Sequence, residues 1–438
     1  MTQNKGLKKT LTPFMLWGLG VGYVISGMYF GWNLGLEKGG TWGMALATLV
    51  IMVMYITFSF SYAELACAIP KAGGVFDYAN RALGKDIGFI AGIAQVIEFI
   101  LAPPAIAFAI GAYFNAFFPQ VPILSSAIAI YFIFTALNVY GVKAAASFEV
   151  IITVFAVGEL LLFAGISLPK FQLTNLTHNA LPNGWSGSFA AIPFAIWFFL
   201  GIEGIANVAE ETKNPQRDIS RGFGWAILTL ALLCVLIFIS ATGIAGWEAI
   251  VYRNGSHGET SDSPLPLALA QITGSNHLMY HLLITVGLFG LVASFHGLIL
   301  AAGRSTYEMG RVHNLPPFLG KISSRFHTPA NALIGNMLIG ILALISGKTA
   351  EIIIVSVFGA LTLYIISMVS IIILRNKEPT LARPFRVACY PFLPLIALLI
   401  STVSIIAMFI FNVTLGLIYF SLLAITFLFY KLFKPAHT

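Results

Sequence analysis

Twelve apolar runs, each about the length of a membrane crossing, divide this chain and limit what it can fold into. A helix needs about 20 apolar residues to cross roughly 30 Å of hydrocarbon. The runs lie near 12–36, 40–68, 86–116, 123–140, 145–168, 187–210, 221–246, 278–303, 330–347, 351–374, 389–411 and 414–433. They are numbered here as spans 1 to 12. Composition agrees: 58% of the 438 residues are hydrophobic, 9% are charged, and the mean hydropathy is +0.88. That balance leaves too little polar surface for a water-soluble domain. The predicted fold class is an all-α polytopic membrane protein with 12 transmembrane helices in a single transporter-sized domain.

The basic residues set the predicted orientation. With both termini inside, the inner segments hold Lys5, Lys8, Lys9, Lys71, Arg81, Lys85, Lys143, Lys213, Arg217, Arg221, Arg304, Arg311, Lys321, Arg325, Arg375, Lys377, Arg383, Arg386, Lys431 and Lys434. The outer segments hold Lys38, Lys170, Arg253 and Lys348. Twenty against four is a strong positive-inside bias and supports the span count. It also explains the net charge of +7 as a topology signal facing anionic lipid, not nucleic acid. Lys5, Lys8 and Lys9 precede a glycine-rich span without a small-residue cleavage pattern, so no cleavable signal is expected.

Several classes of chemistry find no support. Cys67, Cys234 and Cys389 are unspaced and lie in or beside apolar segments, as packing residues do. There is no HExxH, no GxSxG elbow and no P-loop, so neither a cofactor nor a metal nor catalysis is expected. A carrier remains, with a channel or sensor behind it.

Polar residues inside spans are costly and mark function. Span 1 carries "GLGVGYVISGMYFGWNLG". Its glycines fit close helix packing. Ser26 and Gly27 at mid-depth, before Tyr29 and Trp32, equally fit an unwound turn lining a cavity. Span 3 places Gln95 and Glu98 near mid-membrane, before Pro103 and Pro104, which are expected to kink the helix. No Lys or Arg lies in the central part of any span. Glu98 is therefore protonated, hydrated, or paired with a cation from outside. Span 6 reads "FFLGIEGIANVAEETKNP", with Trp197 and Phe198 before a break at Gly201–Gly204 that contains Glu203. A broken helix exposes N–H and C=O groups to a polar ligand. Asn207 follows one turn later, and Glu210 to Pro215 read as interfacial or gate contacts. Glu159 in span 5 and Ser294 and His296 in span 8 are weaker candidates for coupling or gating; a lone intramembrane His is more often a packing residue than a proton carrier. Glu149 reads as interfacial.

"VISGMYFGWN" (24–33), "FFLGIEGIANVAEETKNP" (198–215) and "LRNKEPTLARPFRV" (374–387) together resemble the amino acid–polyamine–organocation transporters over nearly the full chain. The resemblance implies a LeuT-type 5+5 inverted repeat with broken helices 1 and 6. Repeat one covers about 12–168, repeat two about 187–374, and appended helices about 389–433. It implies a secondary active transporter working by alternating access, with H+ or Na+ as coupling ion.

Departures from the family pattern point to the cargo. Amino-acid-carrying members read G-[SA]-G-[IV] in span 1, and those amides cradle a carboxylate. Aligned on Phe30, this chain has Ser26-Gly27-Met28-Tyr29, which puts Met28 bulk in that cradle. Many proton-coupled members carry a lysine in span 5; the aligned position here is about Ala156, with Glu159 one turn on. "IEFILAPPAIAFAIGAYFNAFFP" (97–119) looks most like the ethanolamine permeases of bacteria. The expected cargo is thus ethanolamine or a similar small cationic amine, carried across the cytoplasmic (inner) membrane. The candidate binding residues are Ser26, Gly27, Met28, Tyr29, Glu98, Trp197, Phe198, Gly201, Glu203 and Asn207. Glu98 or Glu203 would supply charge, Tyr29 and Trp197 cation–π faces, and Ser26 a hydroxyl partner. The alternative is an amino-acid or polyamine carrier or exchanger.

Overall fold

The computed structural model describes residues 9–141, 145–253, 259–275 and 277–433. Lys5, Lys8, Lys143, Lys434 and positions 254–258, between spans 7 and 8, lie outside the described residues. Among those described, the regular structure is helical, with two isolated β-bridges. Ten helices are long and apolar enough to cross a membrane. They coincide with the expected spans 2 to 8 and 10 to 12.

The other two expected spans are shorter or divided. Span 1 is Pro13–Val24, one turn over Ser26–Tyr29, and the start of the helix Asn33–Ala68. That last helix bends at Gly40, where φ is +61°; Thr41–Ala68 is span 2. A side chain at Gly40 would meet the Ala180 carbonyl at 2.5 Å, so only glycine suits the bend. Span 9 is Ala330–Ile345. Span 6 is broken too: Ile192–Trp197 gives way to a tighter 3-10 segment, Ile202–Glu211, across left-handed Gly201 at φ +99°. Span 3, Lys85–Phe117, is helical through Pro103 and Pro104, so the expected kink does not interrupt it. It lies almost wholly buried between Thr349–Lys377 and Leu278–Arg311. The last two helices, Phe392–Phe411 and Val413–Phe433, sit outside this core and expose Leu399, Ile410 and Leu432, as lipid-facing surfaces do.

The ends of the bundle are held differently. At one end Glu64 takes a two-point bond from Arg375 (2.9 and 2.6 Å) and the Val387 amide at 2.7 Å, with Arg383 at 3.6 Å. Arg383 also donates to the Leu374, Glu378 and Leu381 carbonyls. The R-P-F-R exit from span 10 therefore closes a helix end that would otherwise leave carbonyls bare. Arg81–Glu378 and Lys431–Asp86 lie at the same end. Here too Thr10 and Leu11 pair with Glu211 and Lys213, tying the entry of span 1 to the exit of span 6.

Candidate functional site

The two breaks meet. A Cβ on Gly27 would strike the Trp197 carbonyl, and Gly31, at φ +87°, lies against the Trp197 indole. Gly27 is thus the contact that lets the helical turn Ser26–Tyr29 of span 1, expected to be unwound, touch the end of the helix Ile192–Trp197 of span 6. Gly27→Ala is expected to lower transport by about an order of magnitude at equal membrane expression, because the added Cβ meets the Trp197 carbonyl and forces the two segments apart. Uptake assays at matched protein levels check this; unchanged uptake would show that the closed contact is dispensable.

Ser294 secures the span 1 break. Its hydroxyl donates to the Gly22 carbonyl at 2.5 Å and accepts from the Ser26 amide at 2.9 Å. Those are backbone groups freed by unwinding, so Ser294 replaces helix hydrogen bonds with a bond to span 8. Ser26 is held there through its amide. Met28 is fully buried, and its carbonyl accepts from Trp32 Nε1 at 3.2 Å.

Beside the span 6 break, Glu98 and Glu203 come together. Their carboxyl groups are within hydrogen-bonding reach of each other, and both residues are fully buried. Tyr364 Oη donates to Glu203 Oε2 at 3.0 Å and lies 3.0 Å from Tyr55 Oη. Among the described residues, both Glu98 oxygens and Glu203 Oε1 meet no N–H or O–H donor, and Trp197 Nε1 meets no acceptor. Among the described residues no Lys, Arg or His is paired with either acid. Two full negative charges about 4 Å apart repel by about 4 kcal/mol even at an effective dielectric constant of about 20. The pair therefore needs a proton or a bound cation. Aromatic rings close around it: Phe58–Tyr364 at 4.3 Å, Tyr55–Phe199 at 5.1 Å and Tyr55–Tyr364 at 5.5 Å between centroids. An acid pair in an aromatic enclosure is suited to an organic ammonium. With both acids at zero exposure, this conformation is closed.

Other expected site residues fall elsewhere. Tyr29 donates to Glu159 Oε2 at 2.7 Å and reaches the Ala156 carbonyl at 3.0 Å, while Tyr113 donates to the Tyr29 carbonyl. Its ring packs on Gly287 and Gly290. Tyr29 and Glu159 thus form a second cluster with span 5. Phe198 stacks on Trp32 at 5.4 Å, and Phe199 is the ring that turns to Tyr55. Asn207 Nδ2 is 3.5 Å from Ser305 Oγ, and its Oδ1 abuts Gly74. Glu149, read above as interfacial, is instead 2% exposed and faces His296 at 3.5 Å. It points across the bundle because span 8 supplies a polar partner there. Sequence reasoning also missed Tyr55, Phe58 and Tyr364. Tyr55, Phe58 and Tyr62 recur at helical spacing in "YITFSFSY", a pattern that ordinary core packing also produces.

The other end of the bundle carries its own seal. Asn33 Nδ2 donates to the Ser261 carbonyl at 2.7 Å, and Thr349 donates to Asp262 at 3.0 Å. Burial pushes the Asp262 carboxyl up to about 6, against the Thr349 bond and the Arg253 charge, which lower it. The docked loop holds the proton more tightly than a free one, so docking is strongest below the ordinary carboxylate range and weakens as pH rises through about 6. Amide exchange over 259–275, corrected for intrinsic rates, is expected to be faster at pH 7.5 than at pH 5.5; Asp262→Asn is expected to flatten the difference. Equal corrected rates in the unaltered protein would contradict it.

A sequence model of the family described as amino acid permease matches residues 11–430. The branched-chain amino acid permease of Bacillus subtilis is 26% identical, over 90% of this chain and 87% of its own. The methylthioribose transporter of the same organism is 25% identical over the same shares. The low-affinity putrescine importer of Escherichia coli K12 is 27% identical, again over 90% and 87%.

Proposed function

Because the chain belongs to the amino acid permease family, we propose that it is a secondary carrier that imports ethanolamine or a similar small amine by alternating access. It would sit in the bacterial cytoplasmic membrane with both termini inside, crossing twelve times as two inverted repeats, about 12–168 and 187–374, with 389–433 appended. The inner end is then the one rich in Arg81, Arg304, Arg375 and Lys431.

The observation that carries the substrate class is the Glu98–Glu203 pair, buried among aromatic rings with no basic partner among the described residues. An ammonium group neutralises the pair and gains charge-assisted hydrogen bonds. Met28 supports the same reading, since by the resemblance it replaces a glycine of the motif with which amino-acid carriers cradle a carboxylate. A diamine is the second reading, favoured by two carboxylates in one site and by the similarity to a putrescine importer. The test is uptake of radiolabelled ethanolamine into proteoliposomes, with putrescine and leucine as competitors. Saturable uptake blocked by amines and not by leucine is expected. Saturable leucine uptake without ethanolamine uptake would overturn the substrate class.

A further inference from the structure

The Glu98–Glu203 site leaves unused a second buried polar pair, some way toward the inner end. Glu149 of span 5 and His296 of span 8 are 2% and 5% exposed, and Glu149 Oε2 lies 3.5 Å from His296 Nδ1. The contact is long for a hydrogen bond, and among the described residues His296 Nδ1 and Glu149 Oε1 have no well-formed hydrogen-bond partner. Buried polar atoms are seldom left so, and each such case calls for a water, an ion, a ligand or a proton.

The pair is placed to control span 1. A Cβ on Gly22 would meet Glu149 Oε1 at 2.9 Å and Thr153 Oγ1 at 2.8 Å, and Thr153 donates to the Gly18 carbonyl at 3.2 Å. Gly297, next to His296, is crossed by the Tyr23 ring. The inner half of span 1 therefore lies directly on the acid, separated from it by no side chain. On its inner side the pair borders a cavity of about 60 Å³, lined also by Leu11, Tyr23, Val208, Glu211 and Arg304. That is room for a water molecule or two. Its floor is the Arg304–Glu211 bridge, 2.7 Å long, which joins span 8 to the end of span 6.

We propose that Glu149 and His296 together form the binding site of a coupling proton, gated toward the inner side by Arg304–Glu211. The proton resides on Glu149 Oε1 or His296 Nδ1 and leaves to the cavity water when the bridge parts. The titratable and charged groups facing the pair are Tyr23 from span 1, Glu211 from the end of span 6 and Arg304 from span 8; Thr153 of span 5 and the Phe134 ring, 6.2 Å from His296, complete its surroundings. With the proton present the pair is neutral overall. Without it, a net negative charge faces the amides and carbonyls of Gly18–Gly22, which changes its hold on the moving half of span 1. Substrate and proton thus occupy separate sites that share one broken helix. The flux arm of the test rests on the proposed amine cargo; the spectroscopic arm does not.

In proteoliposomes with an entrapped pH dye, ethanolamine uptake by the unaltered protein is expected to carry protons inward, and an acidic exterior to drive accumulation. Glu149→Gln is expected to keep ethanolamine counterflow within about threefold and to lose at least tenfold of both proton flux and acid-driven accumulation. His296→Gln is expected to do the same. Unchanged proton flux per ethanolamine in either variant overturns the proposal. In the second arm, infrared difference spectra taken on pH titration without substrate are expected to show a carboxylic band that is lost in Glu149→Gln, shifted in His296→Gln and kept in Glu98→Gln. A spectrum in which Glu149→Gln changes nothing also overturns it. Absence of ethanolamine flux in the unaltered protein counts against the cargo, and the infrared arm then decides the proton site alone.

Discussion

Glu98→Gln is expected to weaken ethanolamine binding by roughly 10- to 150-fold, the equivalent of one charge-assisted hydrogen bond of about 1.5–3 kcal/mol. Its side chain sits beside Glu203 with both oxygens free of other donors, so an amine would find it available. Glutamine keeps the shape and removes the charge. Glu203→Gln is expected to be less severe at first contact, because Tyr364 already holds one of its oxygens. Glu149→Gln serves as the control, since Glu149 lies against span 1 and His296, with no contact to the acid pair in the structure. Scintillation proximity binding on purified protein reads all three. Equal affinities for the Glu98 and Glu149 variants would remove Glu98 from the site.

The second large effect is on stability. Glu64 is 1% exposed and carries the Arg375 bridge, the Val387 amide and the approach of Arg383. Deleting one partner of a buried pair costs about 3–5 kcal/mol, because the other charge stays behind unpaired. Glu64→Met is therefore expected to lower the thermal midpoint of the detergent-solubilised protein by on the order of 5 °C or more. Arg375 also lies over the Tyr390 ring, 3.8 Å from its centroid, and that contact alone does not replace the carboxylate. The double variant Glu64→Met with Arg375→Met removes both charges and is expected to recover part of the loss. A double variant less stable than Glu64→Met would show that Arg375 is held mainly by groups other than Glu64.

The helical architecture was legible in the sequence because lipid forces it: apolar runs of crossing length can satisfy their backbone only as helices. That spans 1 and 6 are interrupted was legible for a related reason. Glycine and polar residues at mid-depth mark where a helix gives way: span 6 breaks at Gly201 as expected, whereas in span 1 Ser26–Tyr29 keep a helical turn and the backbone leaves the helix at Phe30 and Gly31. Glu98 and Glu203 stood out as acids without bases, but nothing local in the sequence states that they touch. They are 105 positions apart, and their meeting depends on how spans 3 and 6 pack. The same limit hid Tyr364, whose hydroxyl is one of many in the chain until folding sets it against Glu203. Glu149 was misplaced because depth along a helix was read without its neighbours; His296 and the bare face of Gly22 draw it inward. Tyr29 illustrates the converse. An aromatic at the break looks like a ligand contact, yet Glu159 takes its hydroxyl.

Ethanolamine and serine differ by one carboxylate, and that difference isolates the central claim. In the proposed site the Glu98–Glu203 pair would attract the ammonium shared by both, and Met28 and the two acids would oppose the carboxylate of serine alone. Competition of each against radiolabelled ethanolamine, on the purified protein in the same buffer, measures the discrimination. The account predicts that serine binds at least tenfold more weakly than ethanolamine; serine binding equal to or tighter than ethanolamine would contradict it.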